Sequence, residues 1–553
     1  MSTIAATIPG LYFTVGARPV EPSPLRSDVA GFMGRTRRGT PGKLVRVEGW
    51  RAYQHEFGGL DRDAVTSYAI RGYFENGGQV AHVVRLCGKD IKTATVTWNV
   101  AELDVNGQLT TDSPTAFLWT QYRIEARTPG KWARNTQVTI RYRHEGTTGK
   151  PEVDFVVEVP SEPIEYLLGF SPDNVEEELH DQIARRSQFI RLTPTGQQIQ
   201  GVAASKGPRQ MVWSPAASGR NKLPPLTLAS AGDALEQPDK FQYLDAVENT
   251  GNSENWAMAD EPEVAIVALP DLHTDILDNA DRWEVILALI TQAEASRDRL
   301  ILIDLPPTVP SGDLLRNAER VAEWINGLRQ VIGDERLQRA AAVYHPWVSV
   351  SDPLGGIINP LRSIPPVGHV AGVISRLDRE RGAHHTPANA QVFEAIDVSQ
   401  RFDEAAQSLL YAEGANLLRC APGRGIQLWG SRTLCLADPS RFIAHRRLIH
   451  RLVRAIRRVA EPLVFHTNGP ELWLTFIRSI TTVLLEAYRA GALKGARPEE
   501  AFRVRCDDKT TTQEDIENGR LFCEIEVAPA TPMEFILLRI AVSADATLEV
   551  FES

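Results

Sequence analysis

The segment LILID at Leu300–Asp304 has the form of a strand that ends in a carboxylate able to hold magnesium, as in nucleotide hydrolases. That chemistry also needs a G-x-x-x-x-G-K-[ST] loop whose backbone N–H groups cradle phosphate. The nearest stretch, GTTGKP at 146–151, has His144 where the first glycine belongs and Pro151 where the hydroxyl residue belongs. Asp304 is therefore expected to be a buried strand residue that caps a turn or a helix. His384 and His385 lie near Asp378 and Arg381, but adjacent histidines point apart and rarely share one ion. His55-Glu56 is followed by Phe57, Gly58 and Gly59, so the H-E-x-x-H pattern is not completed. No G-x-S-x-G elbow is present. No catalytic residue, cofactor or metal site is expected.

Arginine is the residue type that does stand out. Seven arginines fall between 441 and 461 in a chain of net charge −10. Ile449, Leu452, Val453, Ile456 and Val459 keep helical spacing and should face a core. Arg447, Arg451, Arg454 and Arg458, at i, i+4, i+7 and i+11, line another face of the same helix. No aromatic residue interleaves them to stack on bases, so a nucleic-acid groove is not expected. A solvated polar face or a protein contact is.

The composition excludes further classes. Hydrophobic residues make up 43% and charged residues 24% of 553, ordinary for a folded chain of about three or four domains. An acidic balance argues against general nucleic-acid binding. No apolar run approaches the roughly 18–20 residues that span a bilayer, and MSTIAATIPG lacks the pattern of a secretory signal. The five cysteines, Cys87, Cys420, Cys435, Cys506 and Cys523, form no C-x-x-C pair, so buried reduced thiols are expected rather than a disulfide framework or a zinc site.

The elements that must position these residues follow from periodicity and punctuation. Leu11, Tyr12, Phe13, Thr14 and Val15 alternate as a strand, isolated by Pro9 before and Pro19, Pro22 and Pro24 after. GWRAYQHEFGGL reads as a short helix closed by Gly58 and Gly59, and TSYAIRGYFENGG as a second, capped by Asn76 and Gly77. TATVTWNV, TQVTIRYRHE and VDFVVEVP are alternating, β-branched segments. A polar, loop-rich stretch follows near 195–260. EVAIVALP and RLILIDLPP are continuous apolar runs, as in buried parallel strands, with helices RWEVILALITQAEAS and LLRNAERVAEWINGLRQ between or after them. AAVYHPWVSV reads as the next strand. Helices over 441–461 and 470–490 and the strands CEIEVAP and EFILLRIAV close the chain. Thr547, Leu548, Glu549, Val550 and Phe551 alternate at its end.

The fold class is thus α/β and α+β, multidomain. The divisions expected are a terminal arm at 1–20, a small α/β domain at 21–89, a β-rich insertion at 90–250, a central α/β domain at 251–412, a C-terminal domain at 413–542 and a second arm at 543–553.

PGLYFTV followed by ARPVEPSPLRSDVAGFMGRTRRG, FGGL followed by YAIRGYFENGGQVAHVVRL, the central IPPVGHVAGVISRLDRERGAHHTPAN and the C-terminal RFIAHRRLIHRLVRAI to DIENGRLFCEIEVAPATPMEFILLRI together resemble the contractile tail sheath family of phages, R-type pyocins and extracellular contractile injection systems. The likeness covers about 1–86 and 250–553 and leaves the insertion unmatched. It implies a core built from the N- and C-terminal parts and a non-enzymatic subunit that polymerises as stacked hexameric rings. Its partners would be other copies of itself, an inner tube protein, a baseplate and a terminal cap, with no nucleic acid and no direct membrane insertion. Assembly would occur in the cytoplasm, within a phage tail or tail-like particle. The resemblance also implies that the two terminal segments, Leu11–Val15 and Thr547–Phe551, are arms donated to neighbouring subunits, and it offers the arginine face as a contact to the tube or a neighbour. The alternative class, resting on the central α/β domain alone, is a hydrolase or ligand-binding protein.

Overall fold

A computed structural model describes residues 26–89, 91–101, 117–143, 152–170, 179–201, 210–212, 226–228, 237–248, 258–275, 277–307, 313–437, 441–463, 466–530, 536–542 and 548–552. The chain divides into two units, 27–450 and 451–553 together with 1–26.

The larger unit is built on a nine-stranded sheet. From one edge, its strands are 391–392, 425–429, 415–421, 341–345, 300–304, 266–268, 30–34, 80–85 and 44–48. The six central strands run parallel, and antiparallel strands are confined to the edges. Both faces are covered, which is why the central strands read as unbroken apolar runs. Along them the side chains alternate between two cores. Phe32, Val83, Ile266, Leu302, Tyr344 and Leu418 enter one core. Met33, Val84, Val267, Ile303, Val343 and Leu417 enter the other. Helices Trp50–Phe57, Thr66–Glu75 and Val367–Arg381 supply side chains to the first core; Asn279–Ser296, Leu314–Ile332 and Glu404–Ala412 supply the second. Sequence punctuation is realised at the helix ends: Trp50–Phe57 stops at Gly58 in the left-handed conformation, and Thr66–Glu75 stops at Asn76 and Gly77.

Three expectations change here. The segments at 21–89 and 251–412 are not separate domains, because strand 30–34 lies between 80–85 and 266–268 in one sheet. Parallel neighbours need not be sequence neighbours, so the insertion can interrupt the sheet without splitting it. The boundary at 412 also fails, since 415–421 and 425–429 complete the same sheet, and Lys240–Glu248 sends Tyr243 and Val247 into its core. AAVYHPWVSV is two strands in two sheets, 341–345 and 348–351, parted at Pro346, which has no N–H to give a ladder.

The insertion is β-rich, as its alternation requires. Strands 210–212, 95–101, 117–126 and 190–201 form one sheet, and 226–227, 137–143, 152–158 and 165–170 another. Trp98, Ile124, Val153, Phe155, Phe170 and Ile190 share a core between them.

In the smaller unit, helix Pro470–Arg489 begins with its proline in the first turn, where no N–H is needed. An antiparallel sheet follows in the order 502–505, 521–527, 536–542, 548–552. Leu521, Cys523, Ile525 and Val527 are buried while the residues between them are half-buried, the period of a strand with one covered face.

Candidate assembly site

Two of the sequence segments that carried the family resemblance meet in space. Helix Thr66–Glu75 packs on helix Val367–Arg381, and glycine makes the approach possible. A Cβ on Gly368 would stand 2.2 Å from the Ala69 carbonyl oxygen, and one on Gly372 would stand 2.4 Å from that of Tyr73. No side chain fits at those distances, so the two helices are in backbone contact.

A buried polar hub joins the same distant segments. Asp271 accepts from Arg35 N at 2.7 Å, Val65 N at 2.7 Å and the Thr66 hydroxyl at 2.6 Å. Asp275 lies beside it, 2.7 Å from Arg35 Nε and accepting from the Tyr243 hydroxyl at 2.6 Å. Two carboxylates share one guanidinium here. Burial and the neighbouring Asp271 push the Asp275 carboxyl up to about 7, against the pull of Arg35. Sequence reading missed this hub, because its members are scattered from 35 to 275 with no common spacing.

Asp304 is the cap that its sequence position suggested. Its Oδ1 accepts from Val367 N at 3.1 Å, at the start of helix Val367–Arg381, and its carbonyl accepts from His273 Nε2 at 2.7 Å. Burial pushes its carboxyl well above the ordinary range and holds His273 down to about 4, so burial favours the uncharged form of both groups. Among the described residues His82, Glu261 and Glu263 bring three possible ligand atoms together. Glu263 is already engaged by Arg46 Nε and His82 Nε2, each at 2.9 Å, and a guanidinium at that point repels a cation.

Helix Ile443–Ala460 carries the arginine stripe, and the stripe is divided. Arg447 is 3% exposed, donates to the Ser27 carbonyl at 2.7 Å and forms an ion pair with Asp378. Arg454 is 1% exposed and donates to the Arg26 carbonyl at 2.7 Å. Both are thus internal clamps on the segment that leads into strand 30–34. The expectation that all four arginines form one outward contact face is corrected for these two. Helical spacing reports the angle of a side chain, not what chain lies opposite. Arg451 and Arg458 are exposed, and among the described residues Arg458 pairs with Glu461, at 3.3 Å. Arg446, outside the expected stripe, is also internal: its Nη2 lies 2.9 Å from Glu294, which Arg339 holds at 2.8 Å.

Of the two terminal segments, Leu11, Tyr12, Phe13, Thr14 and Val15 lie outside the described residues, as does Thr547. Leu548–Glu552 is a strand, and in the single chain it pairs with 536–542 of its own sheet, from Val542 opposite Leu548 to Leu538 opposite Glu552. It forms one edge of that sheet.

The comparisons place this architecture. Across 96% of this chain and 98% of that one, the fold matches the helical sheath of the anti-feeding prophage in its contracted state, at 21% identity and a TM-score of 0.52. Across 95% and 97% it matches the sheath tail protein of Listeria innocua, at 11% identity and a TM-score of 0.61. The fold is that of contractile sheath subunits. Residues 335–434 match the family model for the phage tail sheath protein central domain, and that range includes strands 341–345, 391–392, 415–421 and 425–429 of the nine-stranded sheet. Tail sheath protein of Vibrio phage KVP40 is 27% identical over 191 residues, a match that spans 34% of this chain and 27% of that protein's length.

Proposed function

We propose that this protein is the structural subunit of a contractile sheath. Copies of it stack as hexameric rings around an inner tube, bounded by a baseplate and a terminal cap, and closing up of the rings drives the tube through a target envelope. The observation that carries the reading is the coincidence of the tail sheath central domain at 335–434 with a sheath fold over nearly the whole chain. The polar interior supports it. Asp271, Asp304 and Arg447 hold elements together and present no open face to a substrate, so the chain is read as a non-enzyme. Nothing in the comparisons favours the hydrolase alternative.

Assembly is assigned to the smaller unit. Among the described residues its four-stranded sheet has edges at 502–505 and 548–552, and a sheet edge is a template for another strand. The terminal segments of a neighbour, Leu11–Val15 and Thr547–Phe551, would add to such a sheet by strand addition. The strand 548–552 then has two homes, its own sheet in the free subunit and a neighbour's in the polymer. Arg451 and Arg458 are the arginines left to meet the tube or a neighbouring subunit. Assembly in the cytoplasm and membership of a phage tail or tail-like particle follow from the same reading.

Negative-stain microscopy of the purified protein tests it. Ribbed cylinders of constant width are expected, and discrete small particles under all assembly conditions, including added tube protein, would refute it.

A further inference from the structure

The closing sheet contains a pair of thiols in a defined register. Strand 502–505 runs antiparallel to 521–527, with Phe502 opposite Val527 and Arg505 opposite Glu524. One step further, Cys506 stands opposite Cys523. The kind of pair can be worked out. Ala528 N donates to the Ala501 carbonyl at 2.8 Å, which makes Ala501 and Ala528 a hydrogen-bonded pair. The two kinds of pair alternate along an antiparallel ladder, and Cys506 is an odd number of steps from Ala501. Cys506 and Cys523 therefore form a non-hydrogen-bonded pair, the kind whose Cα atoms stand only about 4.5 Å apart. Disulfide-bonded cysteines have Cα separations of roughly 4.4–6.8 Å, so no backbone movement beyond a few tenths of an ångström is needed to join them.

Side-chain direction agrees with the register. Residues opposite one another in a ladder share a face, and both cysteines are buried on the inner face. Both are free thiols, and the neighbouring Cys506 is the leading cause that pushes the Cys523 thiol up. Cys87 and Cys435 are also buried, but Cys435 turns its thiol to the Ala437 carbonyl. Cys420 is exposed.

We propose that Cys506 and Cys523 are a thiol–disulfide site, in which a small disulfide oxidant converts the pair to an intramolecular cross-strand bond. The steps balance. The Cys506 thiol, at the end of an edge strand and the more accessible of the two, loses its proton and attacks one sulfur of the oxidant, releasing one equivalent of small thiol. The Cys523 thiol then loses its proton and displaces the second small thiol, forming the Sγ–Sγ bond. Two protein thiols are oxidised, and one small disulfide is reduced to two thiols. The new bond closes the loop Asp507–Phe522 and ties edge strand 502–505 to the interior of its sheet. The inference stands on the register alone and does not depend on the sheath reading.

The test uses the full-length protein incubated with oxidised glutathione for a day, then blocked with iodoacetamide and digested without reduction. Peptide mapping should show Cys506 linked to Cys523 and alkyl label on both of these residues only in the untreated sample, so that labelling of the pair falls at least ten-fold. Amide exchange over 502–505 should slow at least ten-fold in the oxidised wild type and should not respond to oxidant in the Cys506→Ser variant. Both cysteines still carrying alkyl label after oxidation, or each carrying its own glutathione, would overturn the proposal.

Discussion

Arg447 and Asp378 form a buried ion pair between helices Ile443–Ala460 and Val367–Arg381, with side chains 3% and 4% exposed. Burial pushes the Asp378 carboxyl up, and Arg447 pulls it back toward the charged form. Removing one member of such a pair leaves an uncompensated charge indoors, which costs about 3–5 kcal/mol. Arg447→Glu should therefore lower the melting temperature sharply or abolish soluble expression. Arg451→Glu with Arg458→Glu reverses exposed charges and should change folding stability by no more than about 0.5 kcal/mol. If those two side chains meet the tube, the double variant should fold normally yet load poorly onto tubes at physiological salt. Thermal melting and a tube co-sedimentation assay separate the two outcomes. Normal loading of the double variant would remove the arginine stripe from the assembly account.

Asp275 supplies a pH dependence whose sign can be stated. Its carboxyl sits at about 7 in the folded chain against 3.8 for the free group, because burial disfavours the charge. The folded state holds this proton more tightly than the unfolded state. Its contribution is full below about pH 4 and is lost as the pH rises to about 7 and beyond. Melting temperature should fall between pH 5 and pH 8 in the wild type, and the fall should be shallower in Asp275→Asn. Identical slopes in the two proteins would mean that the hub around Asp271 and Arg35 does not titrate in this range.

The last strand is marginal by its own arithmetic. A five-residue strand gains about four or five backbone hydrogen bonds at roughly 0.5–1.5 kcal/mol each, while ordering its backbone costs about 1–2 kcal/mol per residue. The near balance suits a segment that leaves its own sheet for a neighbour's. Deleting 546–553, or 1–16, should leave the melting of the larger unit unchanged and abolish sheath polymers. Contractile sheaths of normal length from either truncation would show that the terminal segments do not hold the polymer together.

Much of the fold is legible where local chemistry decides it. The apolar runs at 264–269 and 300–305 announce strands covered on both faces, Gly58 and Asn76 announce helix ends, and Asp304 announces a cap rather than a magnesium ligand, given the failed loop at 144–151. The alternation at 548–551 announces a strand. In each case the deciding forces act over a few residues, through allowed backbone angles, side-chain period or a missing donor.

What the tertiary structure decided involves partners distant in sequence. Strand 30–34 finds 266–268 across the whole insertion, which turned two expected domains into one sheet. Gly368 and Gly372 are small because backbone from another helix lies within 2.4 Å of where a Cβ would be. Arg447 and Arg454 share a helical stripe with Arg451 and Arg458, yet the first two are clamped to carbonyls near residue 26 and the others face solvent. Cys506 and Cys523 show no motif spacing, and only the register of two antiparallel strands sets them opposite each other. Amino-acid order by itself determined most of the elements, because periodicity and punctuation are local, while the class of protein was suggested by a family resemblance in particular motifs rather than by either. Which polar side chains became internal clamps was settled only by chain packing, because the desolvation that decides it depends on what covers each residue.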